Sequence, residues 1–213
     1  MKMTNYLALF SLVFLSACTS LQVGSEFAAG RRALLAGNPE SALGYFQSAA
    51  QKDPDYQYGT ALKQGIWSYV GRSEYAMGRL PQARQTLEKA LASNNDEYIT
   101  RLYLGLALAR SGERQRGLKE IEGGMRGIND WLEYITEAHR FSYGQYWDPS
   151  LDIRKAIRSN LAMASSREFD WQQLIANGEW IAMRMEEEGD RARQDEARER
   201  SRENDGPDSP GGR

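Results

Sequence analysis

Four arginines, Arg31, Arg72, Arg110 and Arg140, recur along the chain with Tyr75 and Tyr143 close beside two of them. A planar guanidinium offers paired N–H donors that match the two oxygens of a carboxylate. The row therefore reads as a receptor for an acidic, extended partner segment, with the tyrosines packing on its side chains. A second reading stays open, in which these arginines pair with Glu74, Glu113 and Glu137 of neighbouring helices. Other chemistry has less to work with. The chain has one histidine, His139, and one cysteine, Cys18, so no second imidazole or thiol completes a metal site or a nucleophile–base pair. His139 reads as a polar helix residue. Glu133 and Glu137 share a helix face, and paired carboxylates can perform acid–base work on glycans. The alternative function is accordingly an enzyme acting on cell-wall glycan, although glutamates at this spacing ordinarily form a solvated face. No catalytic residue, metal or cofactor is expected.

The elements that position the arginines come from a repeat. Gly71, Gly78, Ala83, Leu87 and Ala90 are answered 34 residues later by Gly105, Gly112, Gly117, Ile121 and Gly124. An earlier copy runs through Gly30, Gly37, Ala42, Phe46, Ala49 and Pro54. A period of 34 with a small residue where two helices touch, a glycine at the turn and a large apolar residue four after the second small one resembles the tetratricopeptide repeat. The resemblance implies an all-α stack of antiparallel helical hairpins whose first helices line a concave face. On that phase the residue after each packing glycine points into the groove. This gives Arg31 and Arg72, with Arg140 at the matching place in a degenerate fourth unit and Arg110 four residues beyond Leu106.

Within a copy the pattern is helical: Trp67, Val70, Gly71, Glu74 and Tyr75, then a turn at Gly78–Pro81, then Ala83, Leu87, Ala90 and Leu91. Gly30 and Gly71 are 41 residues apart, so seven residues are inserted around 56–63, expected to lengthen the following helix. The third copy is rich in glycine, at Gly117, Gly123, Gly124 and Gly127, and reads as the softest hairpin. Asn129 stands where a repeat closes, and Trp131–Tyr146 reads as the first helix of the fourth unit. Asp148 and Pro149 look like a helix start, followed by a stripe of Leu151, Ile153, Ile157, Leu161 and Ala164. Asp170, with Gln173 three later, resembles a capping box opening the stripe Trp171–Met185. Trp147, Trp171 and Trp180 read as packing or interface residues. Beyond Met185 the sequence is dense in Glu, Asp and Arg and then rich in Gly and Pro, expected to fray into a disordered tail.

The N-terminus carries a separate signal. Lys2 precedes an apolar run at 6–15, too short to span a bilayer, and Leu15-Ser16-Ala17-Cys18 resembles a bacterial lipobox. The resemblance implies cleavage before Cys18 and acylation of its thiol. Thr19, where an inner-membrane retention signal would have Asp, points to the periplasmic face of the outer membrane, with the inner membrane left open. Residues 19–24 would tether the fold within roughly 20 Å of the surface.

The expected organisation is a signal peptide at 1–17, lipidated Cys18 and tether at 18–24, repeats at 25–147, capping helices at 148–185 and a charged tail at 186–213. Net charge is −2, which provides no basic excess for nucleic acid. The expected role is a periplasmic scaffold that holds envelope proteins through the groove and the membrane through its lipid. Pairing with a second copy stays open.

Overall fold

The computed structural model describes residues 21–59, 61–166 and 168–204. The expected leader, Cys18 and the last nine residues lie outside them. The chain is all-α, a tetratricopeptide-like stack of antiparallel helical hairpins, and divides into two compact units, Met1–Thr100 and Arg101–Arg213.

In the first unit, α1 (residues 21–35) buries Val23, Phe27, Gly30 and Arg31, the three- and four-residue spacing of one helix face. Val23 is buried, so 21–24 are helix rather than tether as expected from the sequence. α2 (Pro39–Lys52) starts at Asn38, whose side chain accepts the Ser41 N–H at 3.2 Å, with Pro39 in its first turn. α3 (Ile66–Ala76) and α4 (Leu80–Ser93) form the second hairpin. At each interhelix turn the glycine has positive φ, 74° at Gly37 and 72° at Gly78. The next N–H reaches back five residues, from Asn38 to Ala33 O at 2.8 Å and from Arg79 to Glu74 O at 2.9 Å, satisfying a carbonyl that the helix end leaves over.

The insertion departs from expectation. Gln57–Tyr58 (β1) and Gln64–Gly65 (β2) pair antiparallel, Tyr58 opposite Gln64, and α3 begins only at Ile66. No helix runs through this segment, and its turn requires glycine: Gly59 sits at φ 104° with Leu62 O only 2.0 Å from where a Cβ would be. Tyr56 and Tyr58 turn inward instead, with ring centroids 5.1 and 4.9 Å from that of Phe27. Phe46 and Tyr69 complete the cluster at 5.3 and 4.7 Å from Phe27.

The division between units falls within α5 (Tyr98–Arg110). In the second unit, α6 (Arg114–Ala138) is one helix of 25 residues. The expected break at Asn129 does not occur. The buried stripe Gly117, Ile121, Gly124, Met125, Ile128, Leu132 and Ile135 runs through without a phase change, and Asn129 Nδ2 donates to Glu133 Oε1 at 3.0 Å. The expected first helix of a fourth unit is therefore the distal half of α6, which ends at Ala138, well before Tyr146. The glycines are contact points rather than soft spots: a Cβ on Gly117 would lie 2.7 Å from Ala109 N and one on Gly124 2.7 Å from Leu102 N, on α5.

A 3-10 turn at Tyr143–Tyr146 leads to α7 (Asp152–Ala164). Asp148 caps it from outside, accepting the N–H groups of Ile153 at 3.0 Å and Arg154 at 3.2 Å, while Leu151 occupies the cap position itself with φ 62°. Leu151 is thereby exposed rather than part of the buried stripe. α8 (Trp171–Asn204) opens on Asp170, whose Oδ1 accepts the Gln172 and Gln173 N–H groups at 2.8 and 3.2 Å.

α8 also corrects the expectation of a disordered tail from 186, since the helix persists to Asn204 and buries Glu186, Glu188 and Ala192. Arg191–Glu188, Arg193–Asp190, Arg198–Asp195 and Arg202–Glu199 pair at i,i+3. Such pairs contribute about 0.2–0.5 kcal/mol each. Among the described residues no helix is long and apolar enough to cross a membrane.

Candidate protein-interaction faces

The arginines expected to line a groove are held in different ways. Arg31 is buried on α1, donates from Nη1 to the Tyr58 hydroxyl at 2.8 Å and lies with Cζ 4.5 Å from that ring's centroid. Arg72, also buried, stacks 4.6 Å from the Tyr69 ring centroid and donates from Nη1 to Gln64 Oε1 at 3.1 Å. The Tyr58 and Tyr69 rings are themselves 6.4 Å apart, so both cations stand on one aromatic cluster. Tyr75 is buried in the same unit.

Arg72 has a second neighbour that sequence pattern did not reveal. Glu97, 5% exposed, accepts the Gly65 N–H on Oε1 at 3.0 Å and the Thr100 hydroxyl on Oε2 at 2.7 Å. The Thr100 hydroxyl also lies 2.7 Å from Ser68 Oγ. Burial pushes the Glu97 carboxyl above the ordinary glutamate range, and the Thr100 and Gly65 hydrogen bonds and the Arg72 charge offset part of that rise. The arrangement ties the start of α3 to the segment before α5 through one carboxylate. Its only sequence signal was an acid just ahead of a helix, which reads as a cap for its own helix. Glu74 is shifted the same way, by burial first, against the opposing effects of a Thr86 hydrogen bond and Arg79.

In the second unit Arg110 is exposed and lies 3.6 Å from Glu179 Oε1. Arg140 is exposed, with Cζ 4.5 Å from the Phe141 ring centroid, and Phe141 is 86% exposed. Tyr143 stacks on His139 at 4.4 Å, and Tyr134 meets His139 edge-on at 6.2 Å. His139 thus ends α6 inside an aromatic group. Glu133 and Glu137 both face solvent on α6. Trp147 is buried, its ring 4.7 Å from that of Trp131, whereas Trp171 packs on Phe169 at 4.9 Å and Trp180 is exposed. Among the described residues no group of three or more His, Cys, Asp and Glu could hold a metal ion.

The same contact recurs in three hairpins. A Cβ on Gly30 would lie 2.7 Å from the Phe46 ring, on Gly71 2.6 Å from Leu87 Cγ and on Gly105 2.5 Å from Ile121 N. Each second helix packs against its first at a place where only hydrogen fits. A tetratricopeptide-repeat family model matches residues 33–106. No curated protein and no solved structure gives a significant match to the chain. In sequence match and in hairpin geometry, residues 33–106 are similar to tetratricopeptide repeats, a kind of module that binds other proteins.

Proposed function

We propose that the chain is a membrane-anchored scaffold of the bacterial envelope, non-catalytic, that holds a partner protein on its repeat hairpins. The observation that carries this reading is the glycine contact repeated at Gly30, Gly71 and Gly105, which builds successive hairpins of one geometry rather than a catalytic cleft. Lys2, the short apolar run and Cys18 support a lipid anchor on the cysteine, and Thr19 supports the periplasmic face of the outer membrane. Several acyl chains on one thiol hold a protein durably, each buried methylene adding about 0.8 kcal/mol.

Two sets of cations serve the partner, one on each unit. Arg110 and Arg140 are exposed and make direct contacts to partner carboxylates, with Tyr143 beside them. Arg31 and Arg72 act from within the first unit as fixed positive charges on the Tyr58–Tyr69 cluster. The test is crosslinking in the native envelope followed by identification of what is captured, with the intact chain and with Arg110→Glu/Arg140→Glu. A partner captured reproducibly and lost in the variant supports the reading. A failure to capture any protein reproducibly overturns it.

A further inference from the structure

Helix α1 opens almost on the cysteine. Only Thr19 and Ser20 separate Cys18 from Leu21, the first residue of the helix, so the three steps from Cys18 to Leu21 span about 11 Å at full extension. The polar layer on each side of a bilayer is about 5–8 Å thick. A thiol acylated at Cys18 therefore keeps Leu21 within or just above that layer. The helix that follows is fixed in the first unit, because Val23 and Phe27 are packed in its core.

Leu21 itself faces outward and is 76% exposed. Gln22 and Ser25 beside it are exposed and uncharged. The first charge on α1 is Glu26, which pairs with Lys52 at the end of α2. A second exposed leucine, Leu35, closes the helix at 50% exposure, about 21 Å from Leu21 along the axis at 1.5 Å per residue. Between the two leucines the exposed positions are Gln22, Ser25 and Arg32. The helix thus has no continuous apolar stripe of the kind that lies flat on a membrane.

We propose that the first turn of α1 is a membrane contact: Leu21 seats in the headgroup layer of the bilayer that holds the Cys18 acyl chains, and the first unit stands on the membrane by that end of α1, with Leu35 in water. The proposal rests on the lipid anchor at Cys18. The acyl chains bring Leu21 to the interface, so its side chain leaves water with little further loss of freedom. Asp53 and Asp55, which follow α2, stay hydrated and confine the contact to the first turn. The turn at Gly37, beyond Leu35, then faces away from the bilayer.

The full chain, acylated at Cys18, is floated with vesicles of phosphatidylethanolamine and phosphatidylglycerol. An environment-sensitive fluorophore on Gln22→Cys or on Leu35→Cys reports quenching by spin-labelled lipid. The expected result is several-fold stronger quenching at position 22 than at position 35, most of it lost when Leu21→Gln is added, with helical content unchanged. Equal quenching at the two positions overturns the proposal, since α1 would then lie flat if both were strong and the unit would stand clear if both were weak. Quenching at position 22 that survives Leu21→Gln also overturns it. A chain that does not float overturns the anchor reading and this proposal with it, whereas one that floats without quenching at position 22 overturns this proposal alone.

Discussion

Leu87 Cγ lies 2.6 Å from the point where a Cβ on Gly71 would sit. This close approach of α3 and α4 is the unit from which the repeat is built. Gly71→Ala is expected to force the hairpin open and destabilise the chain by about 1–3 kcal/mol, the usual cost of overpacking. Leu87→Ala removes the other half of the contact and should cost about 2–5 kcal/mol. Urea unfolding followed by helical circular dichroism checks both. A neutral Gly71→Ala would mean that α4 stands farther from α3 than described.

Glu97 gives the first unit a measurable pH dependence. Its folded carboxyl is raised above the ordinary glutamate value of 4.5, so its favourable contribution is complete below that value. The contribution is lost as pH rises through the raised one. Glu97→Gln keeps an oxygen for the Gly65 N–H and carries no charge, and its stability relative to the unaltered chain should improve steadily from pH 4.5 upward. Unfolding free energies measured at several pH values between 4.5 and 7.5 report this. A difference that is constant with pH would contradict it.

Asp148 serves α7 twice, as a cap for Ile153 and Arg154 N–H groups and as the ion-pair partner of the Arg154 side chain. Asp148→Ala should cost about 1–2 kcal/mol for the cap alone and more because Arg154 is left partly buried. Asp148→Asn retains an acceptor and should recover part of the loss. Thermal unfolding of the two variants, compared under one condition, separates cap from charge.

Arg31 and Arg72 are packed on tyrosine rings and buried, so their replacement should be felt in stability before it is felt in binding. Arg72→Ala removes a buried guanidinium from the Tyr69 ring and from Gln64 Oε1 and is expected to cost about 1–3 kcal/mol, whereas Arg140→Ala, at an exposed position, should change stability by less than about 0.5 kcal/mol. Chemical unfolding of the two variants decides whether the arginines differ in this way.

Where one local rule governed the backbone, the fold was legible from sequence. Gly30, Gly71 and Gly105 announced the helix contacts, Gly37 and Gly78 the turns, and Asp170 the start of α8, because each is dictated by sterics or by a single hydrogen bond. Asn129 misled, since asparagine is compatible both with a helix end and with an i,i+4 bond to Glu133, and the apolar phase of α6 decided between them. The helix beyond Met185 was hidden because its support is ionic, from pairs such as Arg198–Asp195, and leaves no apolar stripe. The tie from Glu97 to Gly65 spans 32 residues and follows from the packing of one hairpin on the next, which no short motif encodes. The inserted tyrosines were similarly ambiguous: an exposed Tyr58 and one packed on Phe27 read alike.

The lipid anchor is tested by Cys18→Ser, which should move the chain from the membrane fraction to the soluble envelope fraction while leaving its helical content unchanged. Fractionation and circular dichroism together show this. Retention at the membrane by the variant would count against acylation of Cys18.

The scaffold reading meets its most direct test in site-specific photo-crosslinking within the native envelope. A photoreactive residue is placed at Arg110, at Arg140 or, as a control, at the exposed Lys119 on α6, the second helix of the same hairpin as Arg110. The account predicts one reproducible protein adduct from Arg110 and Arg140 and none from Lys119. No reproducible adduct from either arginine position, or the same adducts from Lys119, would contradict it.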